Sequence, residues 1–180
     1  TYGGGIASIE DAINVIQAGA DKILLNTHQY INKRLISELA HRLGSQAVVV
    51  GIDARRVDET THVTYSRCGT KEQEVSPTEA AKIAESEGAG EIVITSIDRD
   101  GTSEGYDLEL IKKITETVRV PVIASGGAKD PNCFVDAVQK SGASAVAAGA
   151  LFHFTELTPD DARTAMRDAG IPVRQVLHNG

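Results

Sequence analysis

The chain has 180 residues, of which 41% are hydrophobic and 24% charged, so it is long enough to form one domain with a sizeable core. Its net charge of −7 argues against a nucleic-acid partner or an anionic membrane surface. The two cysteines and five histidines show no metal-ligand spacing. We therefore expect no metal and no cofactor, and we expect the chain to be cytoplasmic.

Short apolar segments alternate with amphipathic ones along the whole chain. The apolar segments are rich in Val and Ile and do not alternate with polar residues, which predicts strands buried on both faces of a parallel sheet. These predicted strands are 23–25, 47–52, 91–95, 120–124 and 145–148. Apolar periodicity predicts helices over 8–18, 31–42, 76–87, 108–117, 131–140 and 158–169. A further strand at 62–66 is expected to form a hairpin with 54–57, and the alternation indicates an α/β fold.

Two distant stretches share one pattern of strand, Gly-Gly, helix, Gly-Ala and strand. They are GGGIASIEDAINVIQAGADKI (3–23) and SGGAKDPNCFVDAVQKSGASAV (125–146), and Gly4 and Gly126 lie 122 positions apart. A βα unit of a barrel takes roughly 30 residues, so this spacing equals about four units. We predict a (β/α)8 TIM barrel with twofold pseudosymmetry.

This barrel is expected to be partial, running from the end of strand 3 through strand and helix 8, with the first two βα units preceding Thr1. The chain would form a single domain, 1–180, with 175–180 as a C-terminal tail. A complete flavodoxin-like fold of five strands is the alternative.

Glycines follow a strand in both repeats. Glycine lets the backbone approach a ligand closely, and free N–H groups at a helix start bind anions. Loops after two late barrel strands commonly form a phosphate site, and we assign such a site to Ser125, Gly126, Gly127, Ala148 and Gly149. By symmetry, a second site is formed by Gly4, Gly5, Asn26 and Thr27. Two such sites on one barrel mouth predict a long ligand with a phosphate at each end.

Polar residues also stand where predicted strands end. Asp53 closes the strand AVVVGID, a position at which barrels carry catalytic groups, and it is a candidate general acid or base. A surface carboxylate paired with Arg55 is the alternative. In TSIDRDGTSEGYD (95–107), Thr95 ends a strand and Asp100 and Gly101 belong to a polar loop. This loop lacks the acid spacing of a calcium-binding EF-hand, so we interpret it as a hydrogen-bonding loop over a polyol ligand.

Six motifs together resemble the cyclase subunit of imidazole glycerol phosphate synthase: GGGI…SIEDA, GADKILLNT, GSQAVVVGIDARRV, GAGEIVITSIDRDGTSEGYDLELI, PVIASGGA and FHF…GIPVR. The resemblance implies a (β/α)8 barrel in histidine biosynthesis that forms a heterodimer with a glutamine amidotransferase subunit. Ammonia from that partner reacts with a bisphosphorylated ribulosyl aminoimidazole carboxamide nucleotide. The products are imidazole glycerol phosphate and aminoimidazole carboxamide ribotide.

The resemblance also implies roles for individual residues. Asp53 matches the catalytic acid, Thr95 and Asp100 match residues that line the mouth, and Lys22 and Glu91 match a charged ring that guards the ammonia entrance. The residues that match the two phosphate sites are Gly5, Asn26 and Thr27 for one, and Gly101, Ser125, Gly127, Ala148 and Gly149 for the other.

Some features depart from the family pattern. The family's catalytic base is an aspartate on the first strand, which this chain lacks, so we expect the isolated chain to be inactive. A serine is common where Gly149 stands, and CGTKEQEVSPTEAAK (68–82) lacks the usual Thr-Gly and Trp. These departures leave two alternatives: a paralogue that uses ammonia to amidate sugars for surface polysaccharide, or a catalytically inactive fragment.

Overall fold

The computed structural model describes residues 1–174; the predicted tail, 175–180, lies outside the described residues. Eight strands form one sheet: β1 (Tyr2–Gly3), β2 (Ile23–Leu25), β3 (Val48–Arg56), β4 (His62–Ser66), β5 (Lys71–Glu72), β6 (Glu91–Ser96), β7 (Val122–Ser125) and β8 (Ala145–Ala147). Six of them are parallel neighbours in the order β1-β2-β3-β6-β7-β8. This order follows the chain without the reversal that a flavodoxin-like sheet requires. The partial (β/α)8 barrel is confirmed, and the flavodoxin-like alternative is wrong.

Helices separate the parallel strands: α1 (Ile9–Gln17), α2 (Thr27–Ile31), α3 (Leu35–Leu43), α4 (Pro77–Ser86), α5 (Leu108–Thr115), α6 (Pro131–Ser141), α7 (Ala150–Phe154) and α8 (Pro159–Asp168). A 3-10 turn over Ser45–Ala47 leads into β3. The predicted starts of α4 and α8 are confirmed, since Ser76 and Thr158 each accept a hydrogen bond from the first turn and a proline follows. No helix within residues 1–174 has the length and apolar character needed to cross a membrane.

The prediction of one helix over 31–42 is wrong. Ile31 ends α2, and the chain leaves the helical path at Asn32 before α3 begins at Leu35. Oδ1 of Asn32 accepts a hydrogen bond from the backbone N–H of Arg34 at 3.1 Å. Such local bonds between side chain and backbone compete with helix formation, which explains the break.

The predicted hairpin is confirmed and extends further than the sequence indicated. β3 and β4 are antiparallel, with Asp53 opposite Tyr65 and Arg56 opposite His62. The two-residue β5 then pairs with β4. The hairpin therefore rises from the carboxyl end of β3, directly after Asp53.

The two faces of the parallel sheet have different neighbours. Ile92 and Ile94 of β6 are fully buried in the core beneath the helices, whereas the alternate residues Glu91, Val93 and Thr95 are half-buried on the inner face. Successive side chains of a strand point to opposite faces, and paired residues of neighbouring strands share a face. The inner face of the barrel therefore carries charged residues at one end and polar residues at the other.

Candidate active site

Asp53 lies in a row of polar residues at the carboxyl end of the sheet. It pairs in register with Thr95 of β6, Thr95 pairs with Ser125 of β7, and Ser125 pairs with Ala147 of β8. Paired residues share a face, so the three polar side chains lie side by side on the inner face. The structure thus brings together the predicted acid and two predicted ligand-binding residues.

The surroundings of Asp53 favour its protonated form. Burial raises the pKa of the Asp53 carboxyl, the side-chain amide of Asn26 beside it opposes this effect, and the negative charge of Asp100 raises the pKa further. Asp100 was predicted to line the mouth, and its electrostatic effect on Asp53 is consistent with that position. A carboxyl that keeps its proton to higher pH is suited to act as a general acid.

A cavity of about 360 Å³ adjoins the row at its β7–β8 side. Seven of the predicted ligand-binding residues line it: Asp100, Gly101, Ser125, Gly126, Gly127, Ala148 and Gly149. Ala128, Ala147 and Leu151 also line the cavity and were not predicted from the sequence. No motif marks these positions, because alanine and leucine are common on any buried loop or helix.

Close backbone packing, more than ligand access, explains the glycines of this loop. Gly126 and Gly127 have φ angles of +86° and +99°, which residues with a side chain rarely adopt. A Cβ atom on Gly126 would lie 2.5 Å from the carbonyl oxygen of Ser96, and one on Gly127 would lie 2.5 Å from that of Gly105. Gly149 differs, since its φ is −117° and a Cβ atom there would meet no atom within 4 Å.

The pseudosymmetric loop lies at the β1–β2 side. Gly3 pairs in register with Leu24, so Gly4 and Gly5 leave β1 close to the point where Asn26 leaves β2. Both glycines have positive φ, and a Cβ atom on either would enter open space. Oγ1 of Thr27 accepts a hydrogen bond from the backbone N–H of Arg67 at 3.0 Å, which ties this loop to the hairpin.

The helices that follow the Gly-Gly loops, α1 and α6, both have a side chain that caps their first turn. Ser8 caps α1 and Asp130 caps α6, so these helix starts already have acceptors. The short helices α2 and α7 follow the N-cap residues Asn26 and Gly149, whose side chains make no capping hydrogen bond. Their first N–H groups lack intrahelical partners. The helix starts without a side-chain cap near the two loop sites are therefore those of α2 and α7, not those of α1 and α6.

Lys22 and Glu91 form an ion pair at the opposite end of the inner face. Lys22 directly precedes β2 and Glu91 begins β6, so the pair crosses β3, the strand between them. Both side chains are about one quarter to one third exposed. The structure thus brings these two predicted residues into contact.

Two tyrosine side chains that were not predicted from the sequence also lie at the site. The hydroxyl of Tyr30 is buried without a hydrogen-bond partner within residues 1–174, and burial followed by the charge of Asp53 raises its pKa. The hydroxyl of Tyr106 donates to the carbonyl oxygen of Ala147 at 2.9 Å and fixes the loop after β6 to β8. Among the described residues, no group of three or more His, Cys, Asp or Glu side chains is placed to hold a metal ion.

Comparison with known proteins identifies the family to which this chain belongs. The profile of the family "Histidine biosynthesis protein" matches residues 1–158. The chain belongs to this family. Within it, the chain is 45% identical over 176 residues to imidazole glycerol phosphate synthase subunit HisF of Hyphomonas neptunium, a match that covers 98% of this chain and 69% of that protein.

Two further HisF subunits give the same picture. That of Metallosphaera sedula is 45% identical and that of Bacillus cereus (strain G9842) 42% identical, each over 174 residues, 97% of this chain and 69% of the relative. Each of these matches extends over nearly the whole chain. The resemblance to the HisF-type cyclase subunit is confirmed.

Proposed function

We propose that this chain is the cyclase subunit of imidazole glycerol phosphate synthase. It uses ammonia from a glutamine amidotransferase partner to convert a bisphosphorylated ribulosyl aminoimidazole carboxamide nucleotide into imidazole glycerol phosphate and aminoimidazole carboxamide ribotide. The observation that carries this proposal is the position of Asp53 between two related loop sites on one mouth.

The two loop sites suit a ligand with a phosphate at each end. Strands β2 and β8, which precede the uncapped starts of α2 and α7, are separated by four strand spacings, or about 19 Å along the curved sheet. An extended nucleotide with two terminal phosphates bridges such a distance across the mouth. Thr95, on the middle strand β6, and Asp53, on the neighbouring strand β3, then lie beneath the part of the ligand that carries the ribulosyl group.

The raised pKa of Asp53 supports its role as the acid. When ammonia adds to a ketone carbon, electron density moves to the carbonyl oxygen, and a neutral carboxyl beside that oxygen donates the proton that it needs. We infer that Asn26 holds the carboxyl and that Thr95 hydrogen-bonds the sugar.

The ammonia route and the partner are proposed at the other end of the barrel. The Lys22–Glu91 ion pair lies there, and the half-buried apolar side chains of Leu24, Val93 and Ile123 line the inner face between it and Asp53. An apolar lining suits neutral ammonia and disfavours its charged form. We propose that the amidotransferase subunit docks on this face to form a heterodimer.

The decisive experiment is the variant Asp53→Asn in the protein encoded by the complete gene, assayed with ammonium salts and the nucleotide. We expect Asp53→Asn to bind the nucleotide almost as tightly as the parent and to lose turnover. Asp58→Asn, which changes an exposed carboxylate on the hairpin loop, serves as the matched control and should keep full turnover. Turnover of Asp53→Asn close to that of the parent would refute the role of the acid.

The sugar-amidating paralogue is the second candidate, because Gly149 and the 68–82 segment depart from the family pattern. The same assay separates the two functions. A parent protein that forms no imidazole glycerol phosphate, yet transfers ammonia to a nucleotide-linked sugar, would replace the first proposal with the second.

A further inference from the structure

The carbonyl group of Gly51 lies at a gap in the hydrogen bonding of β3, two residues before Asp53. β2 pairs with β3 as far as Val50, and β4 pairs with the same edge from Asp53 onward. The other edge of β3 is occupied by β6. Gly51 is buried, and a buried carbonyl without a donor costs free energy. This gap between two neighbouring strands therefore requires a donor from elsewhere.

Gln29 supplies that donor. Its Nε2 donates to the carbonyl oxygen of Gly51 at 2.7 Å, and the residue is only 8% exposed. Gln29 belongs to α2, which begins immediately after Asn26, the residue whose amide lies beside the Asp53 carboxyl. One short helix thus contacts the end of β3 at two places, the backbone of Gly51 and the side chain of Asp53.

We propose that Gln29 is a positioning residue for Asp53. Its side-chain amide takes the place of the strand that is absent at Gly51, holds the end of β3 against α2, and sets the separation of the Asp53 carboxyl from Asn26. The proposal rests on the function proposed above, since it assigns to Gln29 the role of positioning the catalytic acid. Gln29 does not touch the reacting atoms itself.

The other neighbours of Asp53 do not provide this restraint. Asp100 faces Asp53 with a like charge, and the hydroxyl of Tyr30 makes no hydrogen bond within the described residues. The pairing with Tyr65 and Thr95 holds the backbone of residue 53. Among these neighbours, α2 and its N-cap Asn26 contact both the backbone of Gly51 and the Asp53 carboxyl. A shift of about 1 Å at an acid lowers the rate of proton transfer strongly, so a buried hydrogen bond two residues away matters for catalysis.

The test compares three variants. Gln29→Met keeps the length of the side chain and removes the donor, and Gln29→Asn keeps the amide but is too short to reach Gly51. Gln139→Met is the matched control, because Nε2 of Gln139 also donates to a backbone carbonyl, that of Ala169, at 3.0 Å on an exposed surface. The pKa of the Asp53 carboxyl is measured by NMR without substrate, and kcat and KM are measured with ammonium salts in the protein encoded by the complete gene.

Both Gln29 variants should raise the pKa of Asp53 by about half a unit or more, since the carboxyl moves away from Asn26. They should lower kcat roughly tenfold with a smaller change in KM, because Asp53 moves relative to α2 while every residue of the two phosphate sites is unchanged. Gln139→Met should change none of these values.

A folded Gln29→Met protein with the parent's pKa at Asp53 and the parent's kcat would overturn the proposal. If Gln29→Met does not fold, Gln29→Asn decides by the same criteria. If the pKa shifts as expected while the parent itself makes no imidazole glycerol phosphate, the positioning of Asp53 stands and the proposed function fails.

Discussion

Nε2 of His62 donates a hydrogen bond to Oδ2 of Asp107 at 3.0 Å, and both side chains are at most 3% exposed. Arg56 donates to the same carboxylate from Nε, which contacts Oδ2, and from Nη2, which contacts both oxygens. Asp107 also caps α5, since its Oδ1 accepts a hydrogen bond from the backbone N–H of Leu110. Arg56 and His62 are paired residues of the hairpin. Asp107 therefore fastens the hairpin that follows Asp53 to the start of α5.

Asp107→Asn is expected to destabilise the protein by about 3 kcal/mol, because it removes the buried negative charge to which the partly exposed Arg56 and the buried His62 are hydrogen-bonded. The measurement is urea unfolding at pH 7. Glu109→Gln is the matched control, since Glu109 also pairs with Arg56 but has a side chain that is 44% exposed, and it should change stability little. Equal losses for both variants would contradict this account of the network.

Lowering the pH should remove the stabilisation of the folded state that Asp107 provides. Burial alone would raise its pKa, but the bonds from His62, Arg56 and the N–H of Leu110 outweigh burial and hold the pKa below the ordinary value of 3.8. The stability that Asp107 contributes is therefore present above pH 3.8 and is lost as the pH falls through the lower folded value. The difference in unfolding free energy between the parent and Asp107→Asn should shrink over this acidic range.

Asp53→Asn is expected to change stability in the opposite direction. Because the pKa of Asp53 is raised in the folded state, ionisation above the ordinary value of 3.8 disfavours folding. The variant should have a higher Tm than the parent at pH 7, and the difference should disappear below pH 3.8. Asp58→Asn provides the contrast, since hydrogen bonds from Thr60 and Thr61 lower the pKa of Asp58. An unchanged or lower Tm of Asp53→Asn at pH 7 would contradict the electrostatics described for the site.

Much of this architecture follows from local sequence. Unbroken Val and Ile runs such as 47–52 predict buried parallel strands, and Gly-Ala at helix ends predicts left-handed turns that Gly19, Gly88 and Gly142 confirm with positive φ. The break at Asn32 was not predictable, because a single side-chain bond outweighed helical periodicity there.

The sequence marks residues of the candidate site, but it does not predict the contacts between them. Strand-end glycines and Asp53 stand out because barrels place ligand sites at strand ends. The bond between Gln29 and Gly51 depends on where two neighbouring strands stop, and the network of Asp107 joins residues up to 51 positions apart. No local pattern carries such information.

The two Gly-Gly loops should respond differently to alanine. Gly4→Ala adds only the strain of a positive φ in open space, a cost of about 1–2 kcal/mol. Gly127→Ala adds the same strain and a clash with the carbonyl of Gly105, and should cost more than about 3 kcal/mol. Urea unfolding of both variants checks this order, and a smaller loss for Gly127→Ala would contradict the packing described for the β7–β8 loop.

Gly149→Ser should strengthen phosphate binding. The φ of −117° suits any residue and a Cβ atom meets nothing within 4 Å, so the serine adds a hydroxyl donor at the start of α7 without strain. One hydrogen bond contributes about 1 kcal/mol, which corresponds to a roughly fivefold lower Kd. Calorimetric titration with inorganic phosphate measures the change. Ala169→Ser is the control, because it adds a hydroxyl at a distant helix end where φ is −82°. An unchanged Kd would place the phosphate elsewhere.

We propose that one ligand spans Asp53 with a phosphate at each loop site. The most direct measurement is a crystal structure of the protein encoded by the complete gene, in its Asp53→Asn form, with the bisphosphorylated nucleotide bound. We expect one phosphate at the start of α2 beside Gly5 and Thr27, the other at the start of α7 beside Gly127 and Gly149, and the ribulosyl group over residue 53. Phosphates bound outside these two loops, or a ligand whose reacting carbon lies away from residue 53, would contradict it.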